Sequence, residues 1–108
     1  MEHVPRDARA LLTGLVGREI STLTGRPNTV LRVDDYHVIV ATEKSPKGQP
    51  VPIDSVQSAL DRLIEDGQVE ISVPSVGYRS AFIGAVLSTL PGANSKRDPL
   101  RVQLRQLG

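Results

Sequence analysis

Apolar positions along the chain switch between a helical and a strand period, and the switches mark its elements. Residues 6–16 place Ala8, Leu11, Leu12, Leu15 and Val16 at i, i+3, i+4, i+7 and i+8, one stripe of a helix that Gly14 and Gly17 weaken toward its end. In 18–28, Ile20 and Leu23 fit either an extension of that helix or a short strand. Thr24-Gly25-Arg26-Pro27-Asn28 reads as a loop. Residues 29–33 and 37–41 are rich in β-branched side chains and predict a hairpin turning at Asp34-Asp35. Three prolines and a glycine in 43–52 forbid a regular helix and predict a loop.

The second half carries the clearest helix, 54–66, with Val56, Ala59, Leu60, Leu63 and Ile64 on one face. Asp54 with Gln57 fits a capping box, and Gly67 sits where a left-handed C-terminal glycine belongs. Val69–Val73 alternates as a short strand, and Ser75–Tyr78 fits a short helix followed by a turn. Ser80 is the candidate N-cap of a last helix that packs Phe82, Ile83, Val86, Leu87 and Leu90, and Pro91-Gly92 stops it. Residues 93–108 hold few apolar positions before Leu100, Val102, Leu104 and Leu107. They read as a basic linker or arm, with a final strand as the alternative. The fold class expected is a small α+β, winged-helix-like domain over 1–92, its helices packed with a short antiparallel hairpin or sheet.

Composition narrows the chemistry. The 108 residues are 39% hydrophobic but only 3% aromatic, so the core is aliphatic, and the scarcity of rings weakens any reading that needs an aromatic cage or a flipped-base pocket. The net charge of +1 announces no polyanion partner, but charge is unevenly spread. Residues 53–70 carry a local net of −4, and this acidic helix is expected to face away from DNA. Residues 91–108, with Lys96, Arg97, Arg101 and Arg105, carry +3. The absence of cysteine excludes disulfides, thiolate metal sites and cysteine nucleophiles. With no apolar run long enough to span a bilayer and no signal peptide at the N-terminus, the chain reads as cytoplasmic with no membrane partner.

Catalysis finds no foothold. The two histidines are His3, near the N-terminus, and His37, inside a strand. No cluster has metal-ligand spacing, no nucleophile elbow is present, and the glycines form no phosphate-binding motif. The expectation is a chain that is not an enzyme and uses no metal or cofactor. Nucleic-acid binding fits better. Tyr78, Arg79 and Ser80 open the last helix, where backbone N–H groups, a guanidinium and two hydroxyls can meet phosphate. Arg26, in its Gly/Pro/Asn loop, is a second candidate. The stiff loop of Lys44, Lys47 and Gln49 is a third, and the basic tail could follow a backbone by releasing counterions. Each also has a plain structural reading: a helix start, a turn, a solvated connector and a linker.

Three segments carry a family resemblance: Gly17-Arg18-Glu19-Ile20-Ser21-Thr22-Leu23-Thr24-Gly25-Arg26-Pro27-Asn28, Val40–Ile53 with Ala41-Thr42-Glu43-Lys44-Ser45-Pro46-Lys47-Gly48-Gln49-Pro50 at its centre, and Gly77-Tyr78-Arg79-Ser80-Ala81-Phe82-Ile83-Gly84-Ala85-Val86-Leu87. Together they resemble the N-terminal head domain of McrA-like HNH endonucleases, which are modification-dependent (type IV) restriction enzymes. The resemblance covers roughly residues 10–92. In such enzymes the head precedes domains that recognise phosphorothioated or methylated DNA and a C-terminal HNH nuclease. This chain has no HNH motif, so the resemblance implies an isolated head domain or a short stand-alone relative without cleavage of its own. It implies a double-stranded DNA partner, unmodified or modified, and a nuclease domain or homodimer partner. A DNA-facing role is carried over to Arg26, Asn28, Thr42, Ser45, Gln49, Tyr78, Arg79 and Ser80, beside Lys47 from the loop itself. A phosphorothioate reader needs an apolar surface beside cationic donors, which Pro27 next to Arg26, or Pro50 next to Gln49, could supply. The rival reading is a protein-interaction or dimerisation module that positions a nuclease.

Overall fold

A computed structural model describes residues 4–105; His3 and Leu107 lie outside the described residues. The first helix, α1 (Ala8–Leu15), starts at Asp7, whose carboxylate accepts the Arg9 N–H at 3.0 Å, and it buries Ala8, Leu12 and Leu15. The chain then turns directly into an antiparallel four-stranded meander whose spatial order follows its sequence order: β1 (Glu19–Ser21), β2 (Pro27–Val33), β3 (His37–Ala41) and β4 (Gln49–Pro52). Residues 18–28 thus resolve as strand, turn and strand. The expected hairpin is present, and its turn is closed by Asp34, whose Oδ1 accepts the N–H groups of Tyr36 (2.8 Å) and His37 (2.7 Å). Arg9 of α1 holds the same turn from outside, donating to the carbonyls of Asp34 and Asp35.

The expected loop 43–52 needs correction. Its last four residues are β4, paired with β3 as Val40↔Gln49, Val38↔Val51 and His37↔Pro52. Prolines that would break a central strand are accommodated because β4 is an edge. Val51 between them is only 1% exposed, so its burial holds the strand in place.

From β4 the chain enters α2 (Ile53–Asp66), which buries Val56, Ala59, Leu60 and Leu63 and ends at Gly67 with φ 77°, as its sequence predicts. The expected capping box does not form: Pro52 occupies the N-cap with no side-chain bond, and Gln57 turns instead to α1. Beyond it come β5 (Gln68–Glu70), the short α3 (Val73–Val76), α4 (Ser80–Ser88), β6 (Ala93–Lys96) and β7 (Arg101–Leu104). Arg62 of α2 ties down α3 through the Ser75 hydroxyl at 2.7 Å.

Residues 93–104, expected as a linker or arm with a final strand as the alternative, form a hairpin whose second strand is β7. In the second sheet, ordered β5-β7-β6, strand β7 is central. Val102 is fully buried, which draws this stretch into the core despite its polar composition. Ser80 does not cap α4 but is its first residue. Arg79 holds the cap position in the left-handed region at φ 69° with no capping side-chain bond. Nor is α4 one-sided, since every residue from Phe82 to Leu87 is buried. It touches β1 of the first sheet and β6 and β7 of the second, and a helix between two sheets has little face left for solvent. The result is a small α+β domain with one aliphatic core running through both antiparallel sheets.

Candidate nucleic-acid interface

One face of the meander changes character along its length. Strand alternation and register place Ile20, Val30, Val38, Val40 and Val51 on the same face, and all are buried. Two residues further along the same phase, the face continues as Thr22 after Ile20, Asn28 before Val30, Thr42 after Val40 and Gln49 before Val51. The core side of the sheet therefore ends in a staggered row of four uncharged hydrogen-bonding side chains, one from or beside each strand, with Asn28 opposite Ile20 and Gln49 opposite Val40. Opposite the row stands the start of α4. Between them is a cleft of about 510 Å³.

Each wall is locally fixed. Thr22 is 6% exposed and closes the β1–β2 turn. Its N–H donates to the Arg26 carbonyl at 2.8 Å, and its Oγ1 accepts the Arg26 N–H at 2.9 Å. Gly25, at φ 89°, supplies the backbone that this turn needs. Arg26 is thereby held at the cleft's edge by its backbone while its side chain stays exposed. Asn28 is buried, and its Nδ2 donates to the Pro27 carbonyl at 2.8 Å. Across the sheet, Thr42 and Ser45 close the β3–β4 connection with reciprocal backbone bonds of 3.1 and 3.2 Å. Gln49 presents an Oε1 that is buried with no hydrogen-bond partner, the one such side-chain atom among the described residues.

The opposite wall is Tyr78, Arg79, Ser80, Ala81 and Phe82. Tyr78 is 86% exposed at the mouth, whereas Phe82 is 3% exposed at the base. The Ile83 N–H donates to the Arg79 carbonyl at 3.0 Å, the first backbone bond of the helical turn, and the residues before it, Ser80, Ala81 and Phe82, line this wall. Rim charge comes from Arg26, Lys44 and Arg79 against Glu43.

Of the expected site residues, Arg26, Asn28, Thr42, Gln49, Tyr78, Arg79 and Ser80 come together in this cleft. Ser45 and Lys47 do not line it. Ser45 holds the neighbouring turn, and Lys47 is exposed beside it. Pro27 lines the cleft next to Arg26, but Pro50 does not. Sequence reasoning missed the polar lining residues Thr22 and Glu43 and the apolar ones Val40, Val51, Ala81 and Phe82. Thr22 had a signal available, two residues beyond Ile20 on the same strand phase. Every lining residue falls within the three segments 17–28, 40–53 and 77–87. Two of the chain's three aromatic side chains, Tyr78 and Phe82, are gathered here, so low overall aromatic content understates this one place.

Among the described residues no group of His, Asp and Glu is placed to hold a metal ion, and no helix is long and apolar enough to cross a membrane. Compared with protein-family models, with curated proteins and with solved structures, the chain matches none.

Proposed function

We propose that this domain is a DNA-binding recognition module of a modification-dependent restriction system, without nuclease activity of its own. The observation that carries the reading is the convergence of three separate sequence segments on a single cleft with three cations and one carboxylate at its rim. Those segments are the ones that resemble the head domain of McrA-like endonucleases. A winged-helix-like description suits the second half, where helix, strand, short helix, longer helix and hairpin follow one another as α2, β5, α3, α4 and β6–β7. The hairpin of that unit is β6–β7 and not the 29–41 hairpin. Because α4 is buried from Phe82 to Leu87, it cannot lay a side face into a groove. It offers its N-terminal end, where backbone N–H groups and Arg79 can meet a phosphate. Pro27 beside Arg26 gives the apolar and cationic pairing that a phosphorothioate would select.

The test is fluorescence anisotropy with unmodified, phosphorothioated and 5-methylcytosine duplexes at two salt concentrations. Saturable binding that weakens with salt is expected, each neutralised phosphate adding about 0.9 to the log–log slope. Tighter binding to one modified duplex identifies the modification read. A second reading, a protein-interaction or dimerisation module that positions a nuclease, is favoured by the net charge of +1 and by β6, an exposed strand at the edge of its sheet. Absence of binding to all three duplexes decides for it.

A further inference from the structure

The cleft has an inner chemistry that phosphate binding leaves unused. A groove that only tracked a sugar–phosphate backbone would need donors and cations. Here those sit at the rim, as Arg26, Lys44 and Arg79, while the interior holds something else. Its walls are apolar, from Val40, Val51 and Phe82. Its polar row ends in Gln49, whose Oε1 is buried and unpartnered. A buried amide oxygen without a donor is costly, and a ligand that supplies an N–H removes that cost. An anion cannot do so, because phosphate oxygens only accept. The complementary ligand is flat, largely apolar on its faces, bears an N–H donor on its edge and carries a negative charge one bond system away. A nucleobase with an exocyclic amino group, attached to its own phosphate, has all four properties. The volume of about 510 Å³ falls in the range that encloses ligands of nucleotide size. Tyr78, 86% exposed at the mouth, has a free ring face on which a base can stack.

Resting on the DNA-binding reading above, we infer that the cleft receives a single amino-bearing nucleobase turned out of its duplex, with Gln49 Oε1 accepting from the amino group and Arg26 and Arg79 holding the flanking phosphate. Extrusion lets the domain inspect one base completely, which suits a reader of modified DNA, and a mispaired or modified base is the easiest to extrude.

Two measurements test this on the full chain. In NMR titrations, deoxyadenosine monophosphate is expected to shift the Gln49 side-chain amide and the Phe82 backbone amide. Deoxyribose 5-phosphate, which lacks the base, is expected to leave Gln49 unmoved. Equal shifts from the two ligands, or none at Gln49, overturn the inference. In the second, a duplex carrying one 2-aminopurine opposite cytosine is followed simultaneously by anisotropy and by 2-aminopurine emission. Binding is expected to raise the emission several-fold. Tyr78→Ala, at an exposed position that leaves the core intact, is expected to reduce that rise, and Gln49→Leu to remove it. Saturable binding with no rise in emission overturns the base pocket and leaves the DNA-binding reading standing. No binding at all overturns both.

Discussion

Gln57 of α2 caps α1 through Ala8: its Oε1 accepts the Ala8 N–H at 2.8 Å, and its Nε2 donates to the Arg6 carbonyl and to Asp61 Oδ1, each at 2.8 Å. Ala8 is fully buried, so without Gln57 its N–H would be left unpaired in the core. One amide thus joins two helices that lie far apart in sequence. Gln57→Ala is expected to destabilise the fold by about 1–2 kcal/mol, read as a lower urea midpoint with unchanged slope. Gln57→Glu keeps the acceptor but sets a second carboxylate against Asp61, so it should not recover the parent's stability.

The Asp34 turn makes stability depend on acid. Backbone N–H bonds from Tyr36 and His37, aided by the nearby charges of His37 and Arg32, hold the Asp34 carboxyl below its ordinary value of 3.8. A lowered folded-state pKa means a contribution present above that value and lost as pH falls through the lower, folded one. Asp34→Ala is therefore expected to melt below the parent protein at neutral pH, and the gap should close in acid. Asp34→Asn, which keeps an acceptor oxygen in the turn, should lose less. A gap that persists at low pH would show that the turn does not depend on the carboxylate.

Arg79 separates stability from binding. It occupies the left-handed region at φ 69°, which costs a non-glycine residue roughly 1 kcal/mol. Arg79→Gly is expected to hold or raise thermal stability, since glycine adopts that backbone freely, while duplex affinity falls by about 1–3 kcal/mol. Arg26→Ala should weaken binding comparably and leave the melt unchanged, because its side chain is exposed. If both variants bind duplex as the parent does, the cleft is not the DNA-facing surface.

What the sequence could reveal divides by how local the cause is. The stripe of α2, its stop at Gly67 and the Asp34 turn depend on a few neighbouring residues, and all three are legible in the chain. Seven of the nine site residues named from sequence meet in one cleft, because each belongs to a segment with its own turn or strand phase. Strand β4 was hidden because proline content argues against a strand, and only its edge position and the burial of Val51 make it one. The capping box failed because Gln57 has a distant partner at Ala8 that local spacing cannot show. Aromatic scarcity is a property of the whole chain and carries no information on where Tyr78 and Phe82 meet.

Gly48 tests how closely β4 is packed. A Cβ there would lie 2.6 Å from Ile39 Cγ2 and 2.9 Å from Leu31 Cδ1, and the backbone sits at φ 95°. Gly48→Ala is expected to cost about 1–3 kcal/mol from the combined clash and backbone strain, seen as a lower melting temperature. Gly14→Ala, where nothing lies within 4 Å of the new methyl group and the backbone is helical, is the matched control and should be neutral or slightly stabilising.

Were residues beyond Gly92 a basic arm, a chain ending there would melt like the parent and lose only salt-sensitive DNA affinity. The fold argues otherwise. Strand β7 lies between β5 and β6, Leu104 N–H donates to the Gly67 carbonyl at 2.9 Å, and Ile71 N–H donates to the Leu100 carbonyl at 2.9 Å. Val102 is fully buried in the core that also holds Leu60, Leu63 and Leu87. Ending the chain at Gly92 would leave β5 without a partner and open that core to water. The shortened chain is expected to lose its cooperative thermal transition, whereas Val102→Ala should fold and lose about 1–3 kcal/mol. The two variants together separate loss of a binding arm from loss of a structural strand. Retention of a sharp transition after truncation would make 93–104 an appendage.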